Sequence, residues 1–406
     1  MKKIEGGVTA AKGYQAAAAA AGIKYQGRTD MALVYTASPA VCAGTFTTNV
    51  VKAAPVLWDQ EIVAKGTPVH AVVLNSGIAN ACTGAEGKKQ NAAMAMSVAD
   101  CLRVKTEEVL TASTGVIGMQ LPLEPLQKGA ALLKENLSEG REAAAAAAKA
   151  IMTTDTVPKE AAASFEVDGV TVTVGGMSKG SGMIHPDMAT MLSVTTTDAA
   201  ISREDLQDLT SRAVADSFNM ISVDRDTSTN DTYLVLANGE SGVTIRKGTK
   251  AYEDFKEALH YVSTELAKQM AADGEGATKL FEVKVIHCET EDKAKTLSKS
   301  VITSNLVKTA VYGSDANWGR ILCALGYAGV PFDPEIIDLI LEAEDTSLVL
   351  VQDGVATDYS EEKATELLSQ KKVTVICDMK EGDSSATAWG CDLTYDYVKI
   401  NGDYRS

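Results

Sequence analysis

Apolar residues follow two spacings along the chain, and together they predict a fold of mixed strands and helices. His70-AVVLNSG is a continuous apolar run ending in a glycine turn, which is typical of a buried strand. Strand patterns are predicted over residues 70–77, 108–118, 190–197, 280–288, 373–379 and 391–400. Helical spacing covers residues 88–103, 124–137, 139–152, 252–272 and 297–310.

Two hairpins are predicted between these elements. In residues 164–174 the pair Asp168-Gly169 forms a favoured two-residue turn, and in residues 232–245 Asn238-Gly239 lies near the turn. Hairpins indicate antiparallel pairing, so we expect an α/β or α+β fold whose sheets are largely antiparallel. Between the first hairpin and the strand at 190 lies a segment with little periodicity, GGMSKGSGMIHPDMA, which predicts a loop.

Composition narrows the classes of function. The chain has 406 residues, enough for two or three domains, and a formal net charge of −16. Such an acidic surface repels phosphate backbones, so we expect no nucleic-acid partner and no anionic membrane partner. Aromatic residues are only 5%, while alanine and glycine are plentiful, which predicts interiors built from small side chains.

The cysteines and the N-terminus indicate a cytoplasmic protein. Seven cysteines occur without a C-x-x-C pair, which favours reduced thiols. The N-terminal alanine run superficially resembles a signal peptide, but it is short, weakly apolar and preceded by charged residues. No run of about 18 strongly apolar residues predicts a transmembrane helix.

The segment KGSGMIHPDMATML, residues 179–192, carries the most informative chemistry. Gly180 and Gly182 allow backbone conformations that other residues resist. The hydroxyl of Thr190 can attack the carbonyl of Ala189 in an N-to-O acyl shift, and hydrolysis of the resulting ester frees Thr190 as a new N-terminus. An α-amine has a reference pKa of about 7.7–8.0, so it can act as the base for its own hydroxyl. On chemistry alone, the favoured explanation is an ordinary glycine loop that leads into a strand starting with threonine.

Further motifs along the chain favour the self-cleavage hypothesis over an ordinary loop. The segment SKGSGMIHPDMATML closely resembles the autoprocessing segment of the ornithine acetyltransferase family, the glutamate N-acetyltransferases. The family's other motifs resemble stretches that follow in the same order: NSGIANACTG (75–84), TASTGVIG (111–118), TTDTVPK (153–159), DTSTNDT (226–232), DGEGATK (273–279) and YGSDANWGR (312–320). The resemblance extends over nearly the whole sequence.

The resemblance implies a reaction, an assembly and a fold. N-acetylornithine would pass its acetyl group to Thr190, and glutamate would then take it up in a ping-pong reaction. Residues 1–189 would form an α chain and residues 190–406 a β chain, paired into a heterotetramer. The implied fold is an N-terminal-nucleophile-like sandwich, with two sheets layered between helices. No bound cofactor is expected, and acetyl-CoA is an implied co-substrate in some members.

Site residues follow from the same motifs. Thr114 and Gly115 match the family's oxyanion hole, in which fixed donors stabilise the tetrahedral oxyanion. Lys179, eleven residues before the nucleophile, can hold an α-carboxylate. Glu275 matches a carboxylate that meets a substrate ammonium. Further substrate contacts are implied at Thr153, Asn401 and Ser406.

The chain departs from the family pattern at three positions. The family usually has asparagine where this chain has Asp187 and Ile78, and glycine where it has Arg225. None of these departures removes a proposed catalytic atom. Asp187 adds a charge beside the scissile bond, so we expect an effect on the rate of cleavage.

Other sites and functions were weighed against this hypothesis. The four histidines are scattered, no H-E-x-x-H occurs, and residues 224–235 lack the glycine and glutamate of a calcium loop, so we expect no metal. Two functions remain as alternatives: an N-terminal-nucleophile amidohydrolase or aminopeptidase that cuts itself in the same way, and a non-catalytic binding protein that stays uncut.

Overall fold

The computed structural model describes residues 1–185 and 191–403. Ala189, Thr190, Asp187 and Ser406 lie outside the described residues. Within these ranges the strands are β1 Lys2–Ile4, β2 Tyr14–Ala19, β3 Met31–Phe46, β4 Val69–Asn75, β5 Val109–Ser113, β6 Lys159–Val167, β7 Val170–Lys179, β8 Leu192–Thr197, β9 Ala200–Ile201, β10 Ile221–Ser222, β11 Thr232–Ala237, β12 Thr244–Ile245, β13 Leu280–Cys288, β14 Asp338–Ala343, β15 Thr346–Gln352, β16 Val355–Ala356, β17 Lys372–Asp378 and β18 Ser384–Cys391. The α-helices within them are α1 Ala54–Lys65, α2 Gly84–Leu102, α3 Leu123–Glu135, α4 Arg141–Ala150, α5 Arg203–Ala215, α6 Lys250–Ala272, α7 Glu291–Ile302, α8 Asn305–Tyr312, α9 Trp318–Gly326, α10 Glu361–Leu368 and α11 Tyr395–Asp403.

Within the described residues there are two large sheets, and the first has nine strands. Its order is β1-β6-β7-β8-β11-β3-β4-β5, and β2 also pairs with β3. The long strand β3 pairs with different strands along its length. Its first part pairs with β2 and β4, and its last part pairs with β11. The register shifts between Tyr35 and Ala40, around Pro39, which has no N–H to donate to the ladder.

The second large sheet has seven strands in the order β10-β18-β13-β17-β14-β15-β16. Helix α6 connects the two sheets, because its Phe255 and Leu266 share one hydrophobic core with Val174 of β7 and Phe281 of β13. Most strand pairs in both sheets are antiparallel, so the predicted mixed class with largely antiparallel sheets is confirmed.

Helix α4 shows how small side chains build the interior. Ala144, Ala147 and Ala148 are fully buried, and they share a core with residues of β2 and β3. A face of alanines lets a helix approach a sheet closely, as the composition predicts.

None of the described helices is both long and apolar enough to cross a membrane.

One predicted hairpin is confirmed and the other is wrong. Strands β6 and β7 pair antiparallel across the Asp168-Gly169 turn, where both residues have positive φ (51° and 80°). In residues 232–245, however, β11 does not pair with β12. Both edges of β11 are already occupied by β8 and β3, so β12 pairs with β9 in a separate two-stranded sheet.

Two further predicted elements are also wrong. The predicted helix over 297–310 is divided into α7 and α8, because Ser304 caps a new helix by accepting a hydrogen bond from the Val307 N–H. The predicted strand over 391–400 ends at Cys391, and α11 follows it. The Thr394 hydroxyl accepts from the Tyr397 N–H, an interaction typical of a helix start.

Candidate active site

A cleft beside the first sheet gathers the predicted site residues. It is lined by Thr114, Gly115, Thr153, Thr154, Lys179, Gly182, Met183, Ile184, Met191, Leu192, Ser228, Asn230, Asp231, Glu275 and Asn401. Six of these were predicted from sequence, although they lie up to 287 positions apart (114 to 401). The structure therefore brings together every predicted contact residue within its described ranges.

The Thr114-Gly115 turn follows the end of β5 and is built around glycine. Gly115 has a φ of 129°, and a Cβ there would lie 2.3 Å from the carbonyl carbon of Gly77, so a side chain does not fit. The Thr114 N–H donates to the Asn75 carbonyl at 3.0 Å. The Asn230 amide donates to the Ser113 carbonyl at 2.8 Å, and these bonds hold the turn at the cleft.

Lys179 is the last residue of β7, and its ammonium points at the turn. Its Nζ donates to Thr114 Oγ1 at 3.3 Å, and the residue is buried. Burial lowers the pKa of Lys179, whereas the nearby carboxylates, Asp155 foremost, act in the opposite direction. The predicted start of the loop at Gly175 is wrong, because β7 continues through Lys179 and the loop begins at Gly180.

The segment after Lys179 is tied to its surroundings. The N–H groups of Met183 and Ile184 donate to the two carboxylate oxygens of Asp224 at 2.7 and 2.8 Å. Gly182 packs against Glu275, because a Cβ at this glycine would lie 2.3 Å from the Glu275 carboxyl carbon. The glycine therefore makes room for the carboxylate in the cleft.

Glu275, Asn401 and Thr153 complete the cleft from three different segments. Glu275 follows α6, and its backbone N–H donates to the Ser181 carbonyl at 2.9 Å. The Asn401 amide, on α11, donates to Glu275 Oε2 at 2.8 Å. The Thr153 N–H donates to Asp155 Oδ2 at 3.0 Å. The roles assigned to these three residues remain predictions.

Comparison with known proteins identifies the family. The model of the ArgJ family matches residues 15–406. The chain belongs to the ArgJ family. Its relatives include an arginine biosynthesis bifunctional protein ArgJ of Caldanaerobacter subterraneus, 47% identical over 100% of both chains. A glutamate N-acetyltransferase of Methanocaldococcus jannaschii is 45% identical over 100% of both chains.

A solved relative is also known. The structure of ornithine acetyltransferase complexed with ornithine from Mycobacterium tuberculosis is 43% identical, with a TM-score of 0.42, and the match covers 46% of this chain and 96% of that one. The family model and the two sequence relatives confirm the predicted family, and the chain is an enzyme of the ArgJ family.

Two departures from the ArgJ pattern have visible structural settings. Arg225 has a φ of 70°, a conformation that glycine adopts without strain and that costs other residues roughly 1–2 kcal/mol. Ile78 is buried, and its carbonyl accepts from the Asn75 amide at 2.9 Å. The backbone of residue 78, rather than its side-chain polarity, therefore contributes to the turn beneath Gly115.

Sequence reasoning missed two buried carboxylates of this ArgJ protein, one lining the cleft and one bonded to the backbone of residues beside it. Asp231 is buried and lines the cleft, and burial raises its pKa well above the ordinary range against weaker opposing interactions with Ser228 and Lys179. Asp155 is equally buried and bonds to Lys159. Both lie inside motifs already singled out, TTDTVPK and DTSTNDT, but sequence alone does not report that they are buried.

Proposed function

We propose that this protein transfers the acetyl group of N-acetylornithine to glutamate through an acetyl ester on Thr190, yielding ornithine and N-acetylglutamate. One observation carries the proposal. The cleft combines a turn that only glycine can form, a buried lysine and a carboxylate, and it lies between Ile184 and Met191, which flank the Thr190 segment in sequence. Relatives named as glutamate N-acetyltransferase and ornithine acetyltransferase support the substrates.

The nucleophile arises in this proposal by self-cleavage between Ala189 and Thr190. Ile184 and Met191 support it, because both line the cleft and stand on opposite sides of the proposed cut in the sequence. Strand β7 would fall in the 1–189 fragment and β8 in the 190–406 fragment. These strands pair from Val174–Thr197 to Lys179–Leu192, so the sheet hydrogen bonds hold the fragments together after the cut.

The proposed chemistry assigns each group a step. The freed amine of Thr190 takes the proton of its own hydroxyl, and Oγ1 attacks the acetyl carbonyl of N-acetylornithine. The Gly115 N–H and the Thr114 hydroxyl stabilise the resulting oxyanion. The proton returns to the leaving α-amine as ornithine departs. The α-amine of glutamate then attacks the acetyl ester by the reverse sequence.

Binding of the two substrates rests on opposite charges in the cleft. Lys179 holds the α-carboxylate that both substrates share, and Glu275 meets a substrate ammonium. Thr153, Asn401 and Ser406 add hydrogen bonds. A cleft with both signs of charge suits zwitterionic amino acids, whereas a simple amidohydrolase of peptides has less need of a buried cation at this place.

Further properties extend the proposal. Acetyl-CoA is a second acetyl donor, the fragments assemble as a heterotetramer of two α and two β chains, and the enzyme works in the cytoplasm without a bound cofactor. The family membership supports the first two points, and the reduced cysteines support the location.

The deciding experiment is intact-mass spectrometry of the denatured protein beside a Thr190→Ala variant. Two wild-type species matching 1–189 and 190–406, with an uncut variant, are expected. Incubation with N-acetylornithine should then add one acetyl group to the 190–406 fragment. Faster transfer of that group to glutamate than to water separates the transferase from the N-terminal-nucleophile amidohydrolase. A single uncut wild-type chain would contradict the mechanism and favour the non-catalytic binding protein.

A further inference from the structure

A chain of buried charges lies behind the cleft. Lys159, at the start of β6, is fully buried, and its ammonium contacts Asp155 Oδ1 at 2.7 Å and Asp273 Oδ2 at 2.6 Å. It also donates to the Val157 carbonyl at 3.2 Å. Buried ion pairs are costly to desolvate, so their presence calls for a reason other than stability.

Asp155 links this ion network to two of the cleft residues. One of its oxygens accepts the Gly180 N–H at 2.7 Å, and the other accepts the Thr153 N–H at 3.0 Å. Gly180 follows Lys179 directly. A single carboxylate therefore holds the peptide next to the binding lysine and the backbone of Thr153.

Asp273 links the same network to the Glu275 segment. Its carboxylate accepts the Thr156 N–H, and its carbonyl accepts the Ser181 hydroxyl at 2.6 Å. The Ser181 carbonyl in turn accepts the Glu275 N–H at 2.9 Å. Since Lys159 lies in the proposed 1–189 fragment and Asp273 in the 190–406 fragment, the network crosses the proposed cleavage boundary.

The charges around Lys179 agree with this arrangement. The groups that act on its ammonium are Asp155, Lys159, Asp231 and Glu275. Burial would raise the pKa of Asp155, but Lys179 and Lys159 lower it to about 2, so Asp155 is ionised at working pH. Without that negative charge, burial and Lys159 would depress the pKa of Lys179 further.

We propose that Asp155 is a positioning residue of the acetyl-transfer site, which aligns Lys179 and Thr153 through their backbone and keeps Lys179 charged for the substrate carboxylate. Through Lys159 and Asp273 the same network joins this cation to Glu275 on the other fragment. The inference rests on the proposed function, because it assigns Asp155 a task in binding the amino-acid substrates.

The test compares Asp155→Asn with wild type in the full self-processed chain. Intact mass first establishes cleavage, and kcat and KM for N-acetylornithine are then measured from pH 6 to pH 10. We expect KM to rise about tenfold or more, as for loss of a charged hydrogen-bond network. We also expect the alkaline fall of kcat/KM to move to lower pH by roughly one unit, the size of effect that one nearby opposite charge exerts.

Two companion variants make the result specific. Asp30→Asn is the matched control, because Asp30 is also buried and accepts two backbone N–H groups at 2.7 Å, but its donors, Ala21 and Ile23, do not line the cleft. It should lower stability without moving the pH profile. Asp155→Glu keeps the negative charge but moves it by one methylene group. The alkaline fall of kcat/KM should therefore stay near that of wild type, while KM for N-acetylornithine rises. This variant decides the question if Asp155→Asn does not fold.

The outcomes separate this inference from the function it depends on. An active wild type, with Asp155→Asn at wild-type KM and an unmoved alkaline limb, would overturn the positioning role alone. An Asp155→Glu variant with wild-type KM would do the same. A wild type that neither cleaves nor transfers acetyl would overturn the proposed function and the inference with it.

Discussion

The two ends of the β6–β7 hairpin are built on different principles. At the turn end, Asp168 and Gly169 take positive φ, Val170 is exposed, and Thr171 donates to Glu166 five residues away at 2.5 Å. At the cleft end, Lys159, Ser178 and Lys179 are buried, and Lys159 finds a partner in Asp273, 114 residues away. Contacts between neighbouring residues thus shape the turn end, whereas the cleft end depends on buried charges, of which Asp155 is near in sequence and Asp273 is distant.

The two ends of the hairpin also differ in the free-energy cost of burying charged side chains. A lysine is rarely buried unless it is paired, yet two of them lie at one end of a single hairpin. We infer that the cleft end is organised for binding at the expense of stability.

Lys159→Met at the cleft end should lower the free energy of unfolding by about 3–5 kcal/mol, because Asp155 and Asp273 would be left as buried carboxylates without their cation. Urea unfolding measures the loss. Lys250→Met provides the control, since Lys250 pairs with Asp254 on an exposed surface and should cost less than about 1 kcal/mol. Equal losses of unfolding free energy in the two variants would show that the buried ion pairs at the cleft end matter no more than an exposed pair.

Lys179→Met should reduce kcat/KM for acetyl transfer about 100-fold, or close to 3 kcal/mol, because the substrate carboxylate loses its buried cation. Steady-state kinetics with N-acetylornithine and glutamate provide the measurement. Glu166→Gln at the turn end removes an exposed charge from the same hairpin and should leave kcat/KM unchanged. The assignment of Lys179 fails if both variants retain wild-type rates.

Acid should remove part of the stability that Asp155 contributes. Its folded-state pKa of about 2 lies below its ordinary value of 3.8, so the contribution of about 2 kcal/mol is complete above about pH 4 and is lost as the pH falls towards 2. Urea unfolding of wild type and Asp155→Asn across this range should show a difference that narrows at acid pH. A constant difference would contradict the depressed pKa.

Gly169→Ala at the turn end should cost about 1 kcal/mol of unfolding free energy, because alanine resists the φ of 80° found there. Acetyl transfer should not change, since the turn is remote from the cleft lining. Thermal unfolding and the transfer assay test both parts. Asp168→Gly, which relieves a positive φ of 51°, should cost less than Gly169→Ala; the reverse order would show that the turn is held by something other than local conformation.

Most of the predicted elements are present in the structure, and the wrong hairpin shows what local patterns lack. The Asp168-Gly169 hairpin depends on neighbouring residues and was predictable. Strand β11 has the same kind of apolar run, but its partners β8 and β3 come from elsewhere in the chain. The sequence around β11 therefore did not predict its pairing. Strand pairing is decided by which edges are free, and a one-dimensional pattern contains no such information.

The candidate site divides in the same way. Thr114, Gly115, Thr153, Lys179 and Glu275 were predicted from motifs that resemble those of a known family, and Asn401 was predicted from a matching tail position. All six line one cleft. Asp155 and Asp231 lie in those motifs too, but nothing in their neighbours distinguishes a buried carboxylate from a solvated one. Thr190, Ala189 and Ser406 remain predictions.

Residue types and short motifs were enough to predict the family, the mixed fold class, the Asp168-Gly169 turn and six of the fifteen cleft residues. Only the tertiary structure decided that Lys159 bridges Asp155 and Asp273, that Gly182 makes room for Glu275, and that Lys179 ends a strand facing Thr114. The physical reason is desolvation: the strength of a charge and the need for a partner depend on burial, and burial is a property of the folded chain.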